Sequence, residues 1–282
     1  MRKLLCSTLL AAITIACGPL SPGVFDASGF TSDAYDFGVT NTPEGSLLPN
    51  DWRLDNLYER GGRLRPKRTP GYMTKFSFDT NGDGTIDRTM EEFAYELRFE
   101  NIENDGIIWL RTFPISETDR HKKLRVLMKS YIDDASKAGY ELVVIGTHSQ
   151  LVERRFAAKP VVECDVQVAG KPAYEAVVDV SNLDRIKVDP TAVEKRVKLV
   201  LVATGFNYRV YSRSDGVLFP VLMLAGYSNN LQDFEAGERV FDQFLDRITI
   251  NARRGYVPGA KPDTKPDTRP DVEQTPAVKV SL

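Results

Sequence analysis

The clearest hydrophobic periodicity in this chain is that of an amphipathic helix between Glu117 and Ala138. Its apolar residues recur at the i, i+3, i+4, i+7, i+8 and i+11 spacing of one helix face: Leu124, Leu127, Met128, Tyr131, Ile132 and Ala135. Ser116 is a candidate N-cap residue, with Asp119 as the acidic partner of a capping box, and Gly139 is a candidate C-terminal residue. The pattern predicts a helix that buries one face in a core.

A second helical pattern covers residues 234–248, after the candidate cap Asp233. The residues on its apolar face are Gly237, Val240, Phe241, Phe244, Leu245 and Ile248. The simplest interpretation is that this face also packs against the core.

Between these helices, five runs alternate or concentrate apolar residues as strands do. They are Pro160–Val168, Ala173–Val180, Lys195–Thr204, Phe206–Ser212 and Val217–Tyr227. Short Gly-containing connections favour antiparallel hairpins, and apolar residues on both faces of the last runs indicate a sheet that is covered on both sides. The predicted fold class is α+β, with an antiparallel sheet between two amphipathic helices. Cys164 alternates with valines, which predicts a small buried side chain.

The first residues carry a different pattern, because Arg2 and Lys3 precede an apolar run from Leu4 to Ile15. That run is shorter than the ~20 residues that a membrane-spanning helix needs. It is followed by Thr14-Ile15-Ala16-Cys17, and this layout resembles the signal peptide of a bacterial lipoprotein. The resemblance implies cleavage after residue 16 and a lipid on Cys17.

Lipidation at Cys17 implies that the protein is held to a membrane through acyl chains. Gly18 stands where an aspartate would favour the inner membrane, so the resemblance implies the bacterial outer membrane. The tripeptide before Cys17 also suits ordinary signal peptidase, and the alternative is therefore a secreted or periplasmic soluble protein. Removal of residues 1–16 leaves Cys17 and Cys164, and with Cys17 lipidated no intramolecular disulfide can form.

Charge and composition divide the rest of the chain. Without Arg2 and Lys3, 35 of the 37 basic residues remain against 39 acidic ones, which argues against a nucleic-acid partner. Residues 17–50 are rich in Gly, Pro, Ser and Thr and predict a flexible tether, while residues 252–282 include KPDT repeats and predict a disordered tail. Between them we expect a hairpin region at 51–100 and a sandwich domain at 101–251.

The best local chemical motif is the loop from Asp79 to Asp87. Its alternating oxygen ligands resemble the first nine positions of a calcium loop of the EF-hand or dockerin type. The ligands implied by the resemblance are Asp79, Asn81, Asp83, the Thr85 carbonyl and Asp87. Met90 departs from the pattern at the twelfth position, and alternating aromatics on both sides predict flanking strands. A structural Ca²⁺ site and a plain hairpin turn both remain open.

A basic cluster precedes this loop. It consists of Arg60, Arg63, Arg65, Lys67 and Arg68, with aromatic and aliphatic residues nearby. Such a cluster could contact anionic lipid headgroups or polyanions near a membrane. The acids within the same segment make a simple solvated face the alternative.

The order of the predicted elements over residues 92–250 resembles the Mog1/PsbP-like α/β/α sandwich. That resemblance implies a non-catalytic role in binding an envelope protein or a small ligand. The alternative is an envelope hydrolase whose site is assembled from scattered residues. His148, between Thr147 and Ser149, is the best candidate base for such a site, but no nucleophile and orienting group accompany it at a recognisable spacing.

Overall fold

The computed structural model describes most of the chain between residues 23 and 250. The described residues are 23–32, 35, 37–59, 64–67, 73–78, 85, 88–93, 95–115, 119–137, 139–145, 148–154, 156–182, 193–210 and 217–250. The predicted signal peptide and the predicted disordered tail lie outside them.

The described residues form 17 strands in five sheets, and two helices. The first strands are β1 (Val24–Asp26), β2 (Gly29–Ser32), β3 (Phe37–Thr40), β4 (Trp52–Leu54), β5 (Leu57–Glu59), β6 (Leu64–Pro66), β7 (Met73–Phe78), β8 (Arg88–Phe93), β9 (Leu97–Asn101) and β10 (Ile107–Pro114). After helix α1 (Leu124–Lys137) come β11 (Gly139–Ile145), β12 (His148–Arg154), β13 (Phe156–Val168), β14 (Lys171–Asn182), β15 (Lys195–Val210) and β16 (Val217–Asn229). Helix α2 (Phe234–Leu245) and β17 (Ile248–Ile250) complete the described part.

A seven-stranded antiparallel sheet organises the core, in the order β13-β14-β15-β16-β10-β9-β4. One face packs against α2 and a four-stranded sheet with the order β1-β2-β3-β17, and large aromatic side chains such as Phe30, Phe241 and Phe244 fill this layer. The other face packs against α1 through Leu124, Met128 and other apolar residues. This architecture confirms the α+β class.

The hairpin joining β13 to β14 shows how local sequence determines the register. Ala169 and Gly170 connect the strands with φ angles of 51° and 70°. Two successive positive φ angles are typical of a type I′ turn, whose twist matches that of the flanking strands. The turn therefore supports the long pairing from Val168 and Lys171 outward.

The two predicted strands at residues 195–212 form one bent strand, β15. Gly205 has a φ angle of 79°, and the register with β16 shifts between Ala203 and Asn207. The Thr204 hydroxyl donates to the Val221 carbonyl at 2.7 Å and accepts from the Phe206 amide at 3.0 Å. A bulge, which looks like a break in the sequence pattern, thus leaves the strand continuous.

The prediction of a flexible tether at 17–50 is wrong for its described part. From residue 24 onward the chain forms β1, β2 and β3, and the core includes Phe30, Phe37 and Leu48 from this segment. Antiparallel pairing of β3 with β17 closes the small sheet across more than 200 residues. Sequence patterns cannot reveal such a distant partner.

Three predicted boundaries also change. Helix α1 begins at Leu124, not Glu117, because residues 119–122 form a turn in which the Lys122 amide donates to the Asp119 carbonyl at 2.9 Å. Helix α2 ends at Leu245, and Ile248 belongs to β17. The domain boundary at residue 100 cuts the main sheet, because β4 and β9 pair within it. Within the described ranges, neither helix has the length and apolar character needed to cross a membrane.

Candidate binding site

The outer edge of β13 is one of the two edges of the main sheet. β13 is 13 residues long and pairs with β14 on one side. In the part of the chain that the structure describes, no strand pairs with its other side. An open strand edge presents backbone donors and acceptors to which an extended segment can bind.

The register with β14 assigns the side chains of β13 to two faces. Val162, Cys164 and Val166 lie opposite Val177, Glu175 and Ala173, on the side of the sheet that faces α2. Glu163 and Asp165 lie opposite Ala176 and Tyr174, on the side that faces α1. The β13 edge therefore has one mainly apolar face and one acidic face.

Two apolar side chains are open to solvent at the bulge of this edge. Val161 and Val162 are 50% and 48% exposed, and the strand register shifts between Pro160 and Val162. Proline and a bulge are both devices that limit uncontrolled pairing at a sheet edge. Partial protection of this kind favours a specific partner over general aggregation.

The Cys164 side chain is exposed, so the prediction that it is buried is wrong. Alternation with valines identifies its face correctly, but β13 is an outer strand and its apolar side is incompletely covered. Desolvation and the nearby Glu175 carboxylate raise the pKa of the Cys164 thiol, which disfavours the reactive thiolate.

A cleft of about 290 Å³ lies where α1 meets β13. Its lining residues are Arg125, Lys129, Ile132, Asp133, Ala158, Pro160 and Glu163. The Tyr174 hydroxyl donates to Glu163 Oε1 at 3.0 Å and so fixes one carboxylate at the rim. The cleft thus connects the acidic face of the β13 edge with the charged side chains of Arg125, Lys129 and Asp133 on α1.

A buried lysine joins the other face of the sheet to α2. The Nζ atom of Lys198 on β15 lies 2.8 Å from Asp242, 3.1 Å from Glu238 and 3.5 Å from Glu175. Burial alone lowers the pKa of Lys198, but hydrogen bonds to Asp242 and Glu238 outweigh it and raise the pKa. Lys198 therefore stays charged and acts as an electrostatic link between layers, not as a nucleophile.

A second buried polar contact replaces a backbone bond at the start of β9. The Thr112 amide donates to Glu96 Oε2 at 2.8 Å, and the Thr112 hydroxyl contacts Oε1. Burial raises the pKa of Glu96 to about 8, although the bonds to Thr112 act in the opposite direction. The carboxyl group thus extends the sheet's hydrogen bonding as a largely protonated group at neutral pH.

The predicted basic cluster is only partly within the described residues. Lys67 Nζ lies 2.9 Å from the buried carboxylate of Asp55, which also contacts Arg98. Arg65 belongs to β6, whereas Arg60, Arg63 and Arg68 lie outside the described residues. Lys67 is thus engaged within the fold, and lipid contact by the cluster stays a prediction.

The strands that flank the predicted calcium loop pair as expected, since β7 and β8 are antiparallel from Met73 opposite Phe93 to Phe78 opposite Arg88. Thr85 is exposed, and the other predicted ligands, Asp79, Asn81, Asp83 and Asp87, lie outside the described residues. Among the residues that are described, no three His, Cys, Asp or Glu side chains form a metal-binding group. The calcium site stays a prediction.

The remaining candidates are the predicted lipid site and the two histidines. Cys17 lies outside the described residues, as do Thr147 and Gly146 beside His148. His148 begins β12, and the exposed His121 lies in the turn before α1 rather than on the helix. Sequence patterns did not single out the β13 edge or the Lys198 cluster, because both depend on strand order.

Comparisons with known proteins give little further information. No protein-family model matches this chain. No curated protein matches it either. The chain is similar to the solution structure of cyanobacterial PsbP (CyanoP) from Synechocystis sp. PCC 6803, with 11% identity and a TM-score of 0.34 over 77% of this chain and 93% of that chain. A likeness at this level carries no argument about the function of this chain.

Proposed function

We propose that this chain is a non-enzymatic, exported envelope protein that binds a partner protein along the outer edge of β13. The open edge of this 13-residue strand, with Val161 and Val162 half exposed, is the observation that carries the proposal. A partner segment would add a strand there through backbone hydrogen bonds, and its alternate side chains would contact the apolar and acidic faces.

The buried charged groups of the described fold have structural partners. Lys198 and its three carboxylates link the sheet to α2, and Glu96 completes the hydrogen bonding of β10. Asp55 likewise joins Lys67 to Arg98. The clusters of Lys198 and Asp55 are typical of structural ion pairs, and Glu96 acts as a neutral hydrogen-bonding group.

The proposal includes a fold of the Mog1/PsbP-like sandwich kind, and the position of the main sheet between α1 and α2 supports it. The N-terminal motif supports export and lipid attachment at Cys17, with the outer membrane as the expected location. A Ca²⁺ ion bound by the loop from Asp79 to Asp87 would stabilise the β7–β8 hairpin without taking part in chemistry.

A site-specific photo-cross-linking experiment tests the binding edge. A photoreactive amino acid replaces Val162 in the full chain, expressed in the bacterium that makes it, and a matched variant carries it at Val126 on α1. The two valines are 48% and 49% exposed, so accessibility alone does not distinguish them.

We expect one cross-linked product of defined mass at position 162 and none at position 126. Adding Val161→Asp to the first variant should remove that product, because a charge beside the bulge opposes an apolar strand. Equal cross-linking at both positions, or insensitivity to Val161→Asp, would contradict the proposed edge.

A further inference from the structure

We infer that residues 277–282 of this chain, Ala-Val-Lys-Val-Ser-Leu, bind as an added strand to the outer edge of β13. The inference rests on the proposed function, since it names the first occupant of the same edge. That occupant would cover the edge until a partner segment displaces it.

The residue pattern of this segment matches the two faces of β13. Val278, Val280 and Leu282 alternate with Lys279 and Ser281. In a paired strand the three apolar residues would lie on one side and the two polar residues on the other. The β13 edge offers Val162, Cys164 and Val166 on one face and Glu163 and Asp165 on the other.

Charge determines which side of the segment lies over the valines of β13. With its apolar side over the valines of β13, Lys279 lies on the face that carries Glu163 and Asp165. Directly opposed residues in neighbouring strands are about 5 Å apart, so Lys279 would pair with one of these carboxylates. A flipped segment would place the lysine among the valines and lose this pair.

A second copy of the chain that pairs antiparallel about Cys164 is a poorer occupant of the same edge. Antiparallel pairing of two β13 strands about Cys164 would place Glu163 of each copy opposite Asp165 of the other. Like charges in direct opposition destabilise a strand pair. The edge therefore favours a segment that is basic on its polar side.

The segment can reach the edge from the end of β17. Ile250 and Val278 are 28 residues apart, and a chain of that length can span at most ~3.3 Å per residue, or about 90 Å in all. A folded body of about 200 residues has a diameter of ~40 Å by the usual size scaling. A covalent connection of this length also keeps a short, weakly binding strand at high effective concentration.

Hydrogen exchange of the β13 amides tests the inference. The mature full chain is compared with a chain that ends at Thr275, a truncation that leaves every described residue in place. We expect the outward-facing amides of residues 161–166 to exchange at least about tenfold faster after truncation, because their added hydrogen bonds are lost. Amides of α2 serve as the internal control.

Two point variants separate specific pairing from a general effect of the tail. Lys279→Glu should raise exchange of the same β13 amides as truncation does, whereas Lys279→Arg should keep them protected. A peptide of residues 274–282, added to the truncated chain, should restore protection, and a peptide with its three apolar residues made consecutive should not.

Identical β13 exchange in the full and truncated chains would overturn the inference. Protection that survives truncation and rises with protein concentration would also overturn it and would identify a second copy as the occupant. The proposed function is judged separately, by cross-linking of an external partner at position 162 in the truncated chain.

Discussion

The indole ring of Trp109 occupies the space that a β-carbon on Gly226 would need. The two residues lie opposite each other on β10 and β16, and Cζ2 of the ring is 2.2 Å from the ideal position of that carbon. Glycine within a central strand here serves close packing and not a turn. The main sheet thus accepts a large aromatic side chain on the face that carries α1.

Gly226→Ala should reduce the free energy of unfolding by ~1–3 kcal/mol, because the indole must leave its place. Urea denaturation of the variant and the parent measures this loss. In a Trp109→Leu background the same glycine substitution should cost clearly less. Equal costs in both backgrounds would show that the ring does not set the requirement for glycine.

Glu96 should make stability decrease as the pH rises. Its pKa is about 8 in the folded protein against an ordinary value of 4.5, so between these pH values the folded state holds a proton that the unfolded state has released. The stabilisation is complete below pH 4.5 and is lost as the pH rises through 8, by ~1.4 kcal/mol per pH unit within that window.

Chemical denaturation at several pH values compares the parent with Glu96→Gln. The glutamine keeps the size and neutral state of the protonated side chain, so we expect a flatter dependence on pH between 4.5 and 8. Glu103→Gln, at an exposed loop position, is the control and should keep the parent's dependence. A Glu96→Gln curve parallel to the parent's would refute the assignment.

Lys198→Met should be one of the most destabilising single substitutions in the fold. It leaves Glu175, Glu238 and Asp242 without their shared cation, and breaking a buried ion pair typically costs ~3–5 kcal/mol. Asp242→Asn should cost less than about 1 kcal/mol, since the Asp242 side chain is 49% exposed and that of Lys198 only 7%. Equilibrium unfolding in urea measures both losses, and similar values would contradict a central role for Lys198.

Cys17→Ser should convert the protein from a membrane-bound to a water-soluble form. Lipid on the Cys17 thiol would direct the parent into the detergent phase of a two-phase separation, and serine cannot accept it. Cys164→Ser should behave as the parent does. If the parent itself stays in the aqueous phase, the protein is secreted or periplasmic rather than lipid-anchored.

Calcium should bind the loop between β7 and β8 and raise the melting temperature. Calorimetric titration of the mature chain should show saturable heat, and both Asp79→Ala and Asp83→Ala should abolish it together with the thermal shift. Asp105→Ala, at an exposed loop position, should change neither. An absence of heat in the parent would leave a simple Asn-Gly and Asp-Gly turn.

The local elements of the main sheet could be predicted from sequence because their signals are local. The hairpins β13–β14 and β15–β16 follow from alternating apolar residues and Gly-containing connections, and the apolar faces of α1 and α2 follow from helical periodicity. The predictions that failed concern contacts between residues far apart along the chain. β3 is four residues long, and only its pairing with β2 and β17 makes Phe37 and Val39 part of a core.

The binding edge could not be predicted for a related reason. The alternation of Val162, Cys164 and Val166 identifies one face of a strand, but it does not say whether that strand is central or outermost. Strand order decides this, and it also decides that Cys164 is exposed. The Lys198 cluster likewise joins residues from β14, β15 and α2, which no spacing along the chain brings together.

The pairing of β3 with β17 has a mechanical consequence. The four-stranded sheet contains both the first and the last described strands, and its outermost strands are separated by three strand spacings, or ~14 Å. Tension applied between the two ends of the described part, residues 23 and 250, would fall first on this sheet's few hydrogen bonds. The seven-stranded sheet would carry little of that load, so the small sheet would yield under force while the β13 edge kept its shape.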